Sequence, residues 1–595
     1  MFIFYLLAMN KRWLRLSLLC LLASACSTTQ EQTADGAAGE LREGEGGRYY
    51  GGIFRTNETE YIKNLYPPAI TDVYSYRVAN QVYEGLFRLK PDNLTVINGL
   101  AESHTMDESG TVYTIRLRDD VYFHDDPCFS TGKGRKLIAE DVAFCLTRLC
   151  TFSPQNQNFA VFSGLIKGAD AYYAASAKGS APATGVPGIE VLDSRTLRFT
   201  LTRPNSMFLM HLARPACFIY PPEAWDKYGA DMSRHPVGTG PFRLGSLEEN
   251  ISIVLPKNER YWRSDAFGNQ LPFLDALNIQ FINSKNTELL EFRKGNLDMV
   301  YRLPTEHIIE ILENNQTGTG EFVKYELQRE PEMVTQYLTF NMSDRKLFSN
   351  KDLRKAISYA IDREKILNFA LNNEGYAPGN HGITPPVFAD YNIDEITGFR
   401  LNVDSARYYL AKAGYPDGKG FPKIELMLNA EGDRNTNVAV EIQKQLSDYL
   451  NIQVEINTYP MAQLLERAFS GKFDMMRSAW YADYPSPENF LWVFYSGSAD
   501  RLSRDQVYPN IGRYNNVTFN RLYEQALQAR SIKEANDLFL RAEKVLMKDA
   551  PVIVLWYDEG YRLLQSYVKN FPNNPMQYRD LGEVYFQQAR TLRSQ

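Results

Sequence analysis

Few residues in this chain have the type and spacing that covalent chemistry needs. The six histidines are His104, His124, His211, His235, His307 and His381, and none falls in an HExxH pattern. No GxSxG stretch supplies a nucleophile elbow. Asp119-Asp120 and Asp125-Asp126 pair carboxylates in sequence, but neighbours on a strand face opposite ways. Without a CxxC pair, a zinc site is not expected. Gly238 and Gly240 in PVGTGPFRL are not followed by Lys-Ser/Thr, so they do not make a phosphate loop. Glycine's backbone freedom suggests a turn before a strand there. The pattern is that of a chain without an active site, metal or cofactor. One segment stands out as a binding candidate: Arg477-Ser478-Ala479-Trp480-Tyr481-Ala482-Asp483-Tyr484-Pro485-Ser486-Pro487. It ends an apolar run on a carboxylate, and its prolines stop the strand. By itself, an Asp at such a point reads as a turn or N-cap residue.

The elements that must position this segment are legible from periodicity. Residues 424–428 form a short apolar strand, and Val438, Ile442, Leu446 and Leu450 recur at helical spacing. Ile452, Val454 and Ile456 alternate as a strand. Residues 463–469 read as a helix stopped near Gly471, and residues 473–480 as another strand. Strand, helix, strand, helix, strand is an α/β pattern. In such sheets ligands collect beyond the carboxyl ends of strands, which is where Asp483 falls. Elsewhere, residues 113–121 alternate as a strand, and a helix opens at Ala139 with acids in its first turn. Leu353, Ile357 and Ile361 make one apolar helical face. LEFRKGNLDM (290–299) reads as helix, glycine stop and strand.

Length and charge set wider bounds. The 595 residues allow about three or four domains at roughly 150 residues each. A net charge of −6 lacks the basic excess of a nucleic-acid binder. The 37 Tyr and 33 Phe serve core packing or an aromatic-lined groove.

The N-terminus carries an address. A basic stretch from Met9 to Arg15 precedes about ten apolar residues, too few to span a bilayer, as in a secretory signal. It ends Leu22-Ala23-Ser24-Ala25-Cys26, which resembles a bacterial lipobox with Cys26 as the lipidated residue. Ala23 stands where Leu is usual. Residues 27–47 contain no aromatic residue and should be a flexible tether. Cys128, Cys145, Cys150 and Cys217 remain in the body. An oxidising compartment would permit disulfides among them, in any of three connectivities.

Several longer stretches carry a resemblance. VANQVYEGLFRL (78–89), YTIRLRDDVYFHD (113–125), AEDVAF (139–144), PVGTGPFRL (236–244), LEFRKGNLDM (290–299), LRKAISYAIDREKI (353–366), WYADYPSPENFL (480–491) and APVIVLWY (550–557) occur in this order. The chain thereby resembles the dipeptide and oligopeptide periplasmic binding proteins, family 5 of the solute-binding proteins. The resemblance implies an α/β, periplasmic binding protein-like fold of the class II, cluster C type. Such a fold has two lobes with a ligand cleft, a two-strand hinge and an extra small domain on the first lobe. The implied divisions are a signal with lipobox (1–26), the tether (27–47), the first lobe (48–88, 205–335 and 558–595), the extra domain (89–204) and the second lobe (336–557). The hinge would lie near Tyr337-Leu338-Thr339-Phe340 and Val554-Leu555-Trp556-Tyr557. One departure is an insertion at 127–137 holding Cys128 and a Gly-Lys-Gly-Arg-Lys run, which reads as a solvated surface loop.

The implied chemistry is capture without reaction. Asp483 would grip a peptide's α-ammonium, and Arg477 would contact the carboxylate of short ligands. Ala479 and Tyr481 would lend backbone to an extended peptide. Trp480 would pack at the cleft or in the core. The partners would be a short peptide and the permease and ATPase subunits of an ABC importer, with the protein itself a monomer and no nucleic acid bound. The alternatives are an oligosaccharide, haem or metal-chelate ligand on the same fold, or a sensor that presents its ligand to a membrane partner.

Overall fold

In the computed structural model, the described residues are 41–343, 346–429, 432–497, 507–529 and 531–587. Two long strands organise them, Tyr325–Phe340 and Val552–Gln565. They pair antiparallel from Tyr325↔Gln565 to Thr339↔Val552, with register shifts between Pro331 and Thr335 and between Gln336 and Tyr337. Sixteen and 14 residues exceed the usual strand. The length has a reason: each strand runs through several cores. Leu338, Phe340, Ile553, Leu555 and Trp556 pack with Leu353, Ile357 and Ile442. Tyr325, Tyr561 and Leu563 pack instead with Phe292, Leu297 and Ile308.

The larger register shift marks the crossing between the two halves. It lies at Pro331–Thr335 opposite Tyr557 and Glu559, a few residues from the hinge expected at 337–340 and 554–557. The expected positions are divided between two cores, Leu338, Phe340, Leu555 and Trp556 in one and Tyr337, Val554 and Tyr557 in the other. The change of core comes where Glu332, Asp558 and Glu559 interrupt the apolar run.

On one side of the crossing, Ile424–Asn429 pairs in parallel with Val454–Tyr459 and with the start of Met475–Tyr481, which pairs antiparallel with Tyr325–Phe340. The helices Gly432–Leu450 and Met461–Phe469 connect these strands. This is the α/β unit expected from periodicity, with element ends within a few residues except at the N-terminus of the first helix. Gly471 takes the left-handed conformation, φ 66°, two residues past its helix.

On the other side, Ser246–Glu248, Ser252–Pro256, Ala276–Gln280 and Ile53–Asn57 form a four-stranded sheet. A second four-stranded sheet joins Ala101–Met106, Val112–Leu117, Thr196–Thr200 and Ile189–Asp193. Helix Ala139–Leu149 packs on it, and the two sheets share one apolar core. The result is an α/β molecule of two lobes, with the additional small sheet attached to the first.

Four expectations change. Residues 41–47 are not tether: Arg42–Glu43 pairs with Tyr49–Tyr50, and Glu45 exchanges hydrogen bonds with Asn269 at 2.7 and 3.0 Å. Gly238 and Gly240 do not have positive φ. A Cβ on Gly238 would come within 2.1 Å of the Val82 carbonyl oxygen, so close backbone approach is the reason for glycine. The 127–137 insertion is strapped down rather than merely solvated. Gly134 is buried against the Phe123 carbonyl, and Arg135 forks onto Asp141 and Glu223. Cys128, Cys145, Cys150 and Cys217 are all free thiols; burial pushes Cys128 and Cys217 up to about 12.

Candidate functional site

The site grows from the parity of one strand. Asn341 N–H donates to Asp474 O and Ala482 N–H to Met333 O, bracketing the antiparallel pairing of Met475–Tyr481. In such a ladder alternate residues turn their backbone groups to the same neighbour. Met476, Ser478 and Trp480 therefore face Tyr325–Phe340. Arg477, Ala479 and Tyr481 aim N–H and C=O at the opposite edge. Pairing of that edge with Ile424–Asn429 involves only Met475 and Met476 among the described residues. Among the described residues, the edge is thus open at Ala479 and Tyr481, just before Asp483.

Asp483 follows the strand in a short loop. Its N–H donates to Asn489 Oδ1 at 3.0 Å, and Asn489 also accepts from Trp480 Nε1 at 2.8 Å. Asn489 lies on Pro487–Leu491, a short helix capped by the Ser486 hydroxyl. The loop is fixed from beneath by buried Glu488, which accepts from the hydroxyls of Tyr484 and Tyr523. Burial raises the Glu488 carboxyl above its ordinary value, and the two hydroxyls offset only part of that. The Asp483 carboxylate itself is 45% exposed and lies 3.4 Å from Arg214 Nη2. Arg214 belongs to the first lobe, at the start of the turn Pro215–Cys217, with its guanidinium 5.1 Å from the Tyr484 ring centroid. The Asp483 carboxylate thus already faces a cation from a distant part of the chain.

The other sequence candidates fall nearby. Arg477 donates to Gln336 Oε1 and lies 3.4 Å from Asn429 Oδ1. Gln336 in turn donates to Asp558 Oδ2 at 2.6 Å. Trp480 stacks edge-on against Trp492 at 5.9 Å, with its indole N–H committed to Asn489. Tyr481 is exposed, and its hydroxyl accepts from Arg302 Nη1 at 3.1 Å. Ala479 lies on the open edge. Cys26 lies outside the described residues.

Sequence reasoning missed the charged groups that link the halves. Buried Asp558 receives Arg434 Nη2 at 2.8 Å and lies 3.8 Å from Arg302 Nη2. Burial opposes its charge, but Arg434 and Arg302 outweigh that and hold the carboxyl below its ordinary value. Arg302 has φ 59°, an uncommon conformation for a residue with a side chain. Nothing periodic marks these residues; Asp558 directly follows the APVIVLWY stretch, which is the one available signal.

Residues 95–501 match the family described as bacterial extracellular solute-binding proteins, family 5 middle. A glutathione-binding protein, GsiB of Salmonella paratyphi A, is 26% identical over 520 residues, 85% of this chain and 88% of its own. Heme-binding protein A of Haemophilus influenzae is 26% identical over 529 residues, 86% and 88% of the two chains. The periplasmic binding protein DppA of Helicobacter pylori, solved with the peptide STSA, superposes with a TM-score of 0.75 at 25% identity. That alignment covers 91% of this chain and 99% of that one.

Proposed function

The chain belongs to family 5 of the bacterial extracellular solute-binding proteins, the substrate-capturing components of ABC importers, and on that premise we propose that it captures short peptides between its lobes. The observation that carries this reading is the strand edge open at Ala479 and Tyr481, just before Asp483. An extended peptide can pair its backbone with Ala479 and Tyr481 regardless of its side chains, and Arg477 would contact the carboxylate of a short one. Its α-ammonium then meets the Asp483 carboxylate, a charge-assisted contact. The peptide complex of the Helicobacter relative supports the same ligand class. Delivery to a membrane permease, action as a monomer and anchoring through a lipidated Cys26 complete the proposal.

Arg214 favours a second reading. Asp483 and Arg214 together match a head that keeps both a free ammonium and a free carboxylate. An ordinary peptide's first residue has its carboxyl tied up in an amide. A γ-glutamyl head keeps both charges, and the Salmonella relative is named for glutathione.

Titration calorimetry with trialanine, N-acetyl-trialanine and glutathione tests both. Because Asp483 is partly exposed, solvent screens the pair. Asp483→Ala should still cost at least about tenfold in affinity, about 1.4 kcal/mol. Acetylation should cost the wild type comparably and the mutant little. An equal loss on acetylation in both proteins would remove Asp483 from ammonium recognition. Tighter binding of glutathione than trialanine, lost in Arg214→Ala, would select the second reading. If neither binds, the ligand is not a peptide.

A further inference from the structure

Tyr301 ends the strand Met299–Tyr301 on the first lobe's side of the crossing. Four guanidinium carbons surround its ring: Arg77 at 5.2 Å, Arg579 at 5.4 Å, Arg302 at 5.7 Å and Arg562 at 5.8 Å from the centroid. They come from four separate parts of the chain, so no local pattern announces them. An aromatic face attracts a cation, but one ring does not neutralise four.

The acids nearby fall short. Glu58 takes Arg77 at 2.8 Å and Arg579 at 2.6 Å. Glu332 takes Arg302 at 3.0 Å and the Tyr301 hydroxyl. Arg562 is held by neutral acceptors, Gln328 Oε1 at 2.7 Å and Gln577 Oε1. Asp558 is 3.8 Å from Arg302 but bonds Arg434 more closely, and Glu288 is matched by Lys285. Four guanidinium groups thus share Glu58 and Glu332, with Asp558 divided between Arg302 and Arg434.

Hydrogen bonding falls short at the same place. Nε of Arg77, Nε of Arg562, and Nε and Nη2 of Arg579 are buried without a partner among the described residues. Arg562 is 2% exposed and Arg579 5%. A buried charged donor left unpaired is costly. Burial and the neighbouring guanidiniums together pull Arg562 down to about 9 and Arg579 to about 10. An anion would relieve both shortages at once, and the guanidinium fork suits a carboxylate best.

Of the four arginines, Arg302 is the most exposed. Its side chain is 28% exposed and also donates to Tyr481, two residues before Asp483 on the open strand. We infer that the arginines around Tyr301 form a binding site for a small anion, reached from the cleft past Arg302. The anion is a carboxylate of the captured ligand or a free inorganic ion such as chloride. The first source rests on the peptide reading above; the second does not.

Two measurements on the full-length protein decide this. In the first, chloride replaces the bulkier isethionate at constant ionic strength while thermal unfolding is followed. In the second, trialanine and its C-terminal amide are titrated calorimetrically. For a ligand carboxylate, amidation costs the wild type at least about tenfold and Arg302→Gln little, and chloride competes with the free acid alone. For a free ion, chloride raises the wild-type Tm saturably, Arg302→Gln loses that rise, and both peptides bind alike. Absence of both effects in the wild type, or a chloride effect unchanged in Arg302→Gln, overturns the site. The wild-type arms hold even where a variant folds poorly. If no peptide binds, the proposed function fails, and the chloride arm alone decides the anion site.

Discussion

His124 is fully buried, with Nε2 donating to Gly240 O at 2.9 Å and Nδ1 accepting from Gly238 N–H at 3.4 Å. Burial pulls it from the ordinary 6.5 to about 4. His211, buried beside Arg214 and edge-on to Tyr484, is pulled to about 3 for the same first reason. A depressed folded pKa contributes stability that is complete above the unfolded value and lost as pH falls toward the folded one. The loss window for His124 is therefore about pH 6.5 down to 4, and worth about 3 kcal/mol. Glu84, Glu488 and Glu543 are raised by burial and act oppositely, losing stability as pH rises through their folded values. The test therefore compares proteins rather than absolute slopes. Urea midpoints at pH 7 and pH 5 should converge in His124→Gln relative to the wild type; an unchanged gap would refute the assignment. From sequence, His124 lies in the stretch YTIRLRDDVYFHD but in no catalytic or metal-binding pattern. Its role depends on Gly240, 116 residues away, and no spacing rule reaches that far.

Elements were read far better than contacts. Strands at 424–429, 454–459 and 475–481 announce themselves because alternation reports one buried face. The open edge of Met475–Tyr481 was anticipated only by resemblance, because an unpaired edge is a property of the neighbour and not of the strand. The glycine pair in PVGTGPFRL was recognised for the wrong reason. Its demand comes from the end of helix Val73–Val82, whose last carbonyl lies where a Gly238 side chain would go. Gly238→Ala should thus destabilise the first lobe by about 3 kcal/mol, the upper range for overpacking. The clash is with backbone, which cannot swing aside, and the His124 bonds would shift with it. Calorimetry would check this; a Tm within a degree or so of wild type would show that the two segments can separate freely.

At the scale of the molecule, the two lobes were foreseen, whereas the charges tying them together were not. Arg214 and Asp483 are separated by 269 residues, and Arg434 and Asp558 by 124; only the folded chain brings them together. The proposed anchor belongs to this scale. If Cys26 carries lipid, Cys26→Ala should move the protein from washed membranes to the soluble fraction, as immunoblotting of the two fractions would show. Retention of the mutant on membranes after a high-salt wash would refute the anchor. Residues 41–47 give that anchor a mechanical meaning. They are stitched to the first lobe, through Asn269 and the Tyr49–Tyr50 strand. A line made fast at Cys26 would hold the first lobe as the fixed jaw of a vice. Opening and closing would then be the travel of the other jaw, so a permease would meet one lobe at a steady berth and register the ligand by where the other has come to rest.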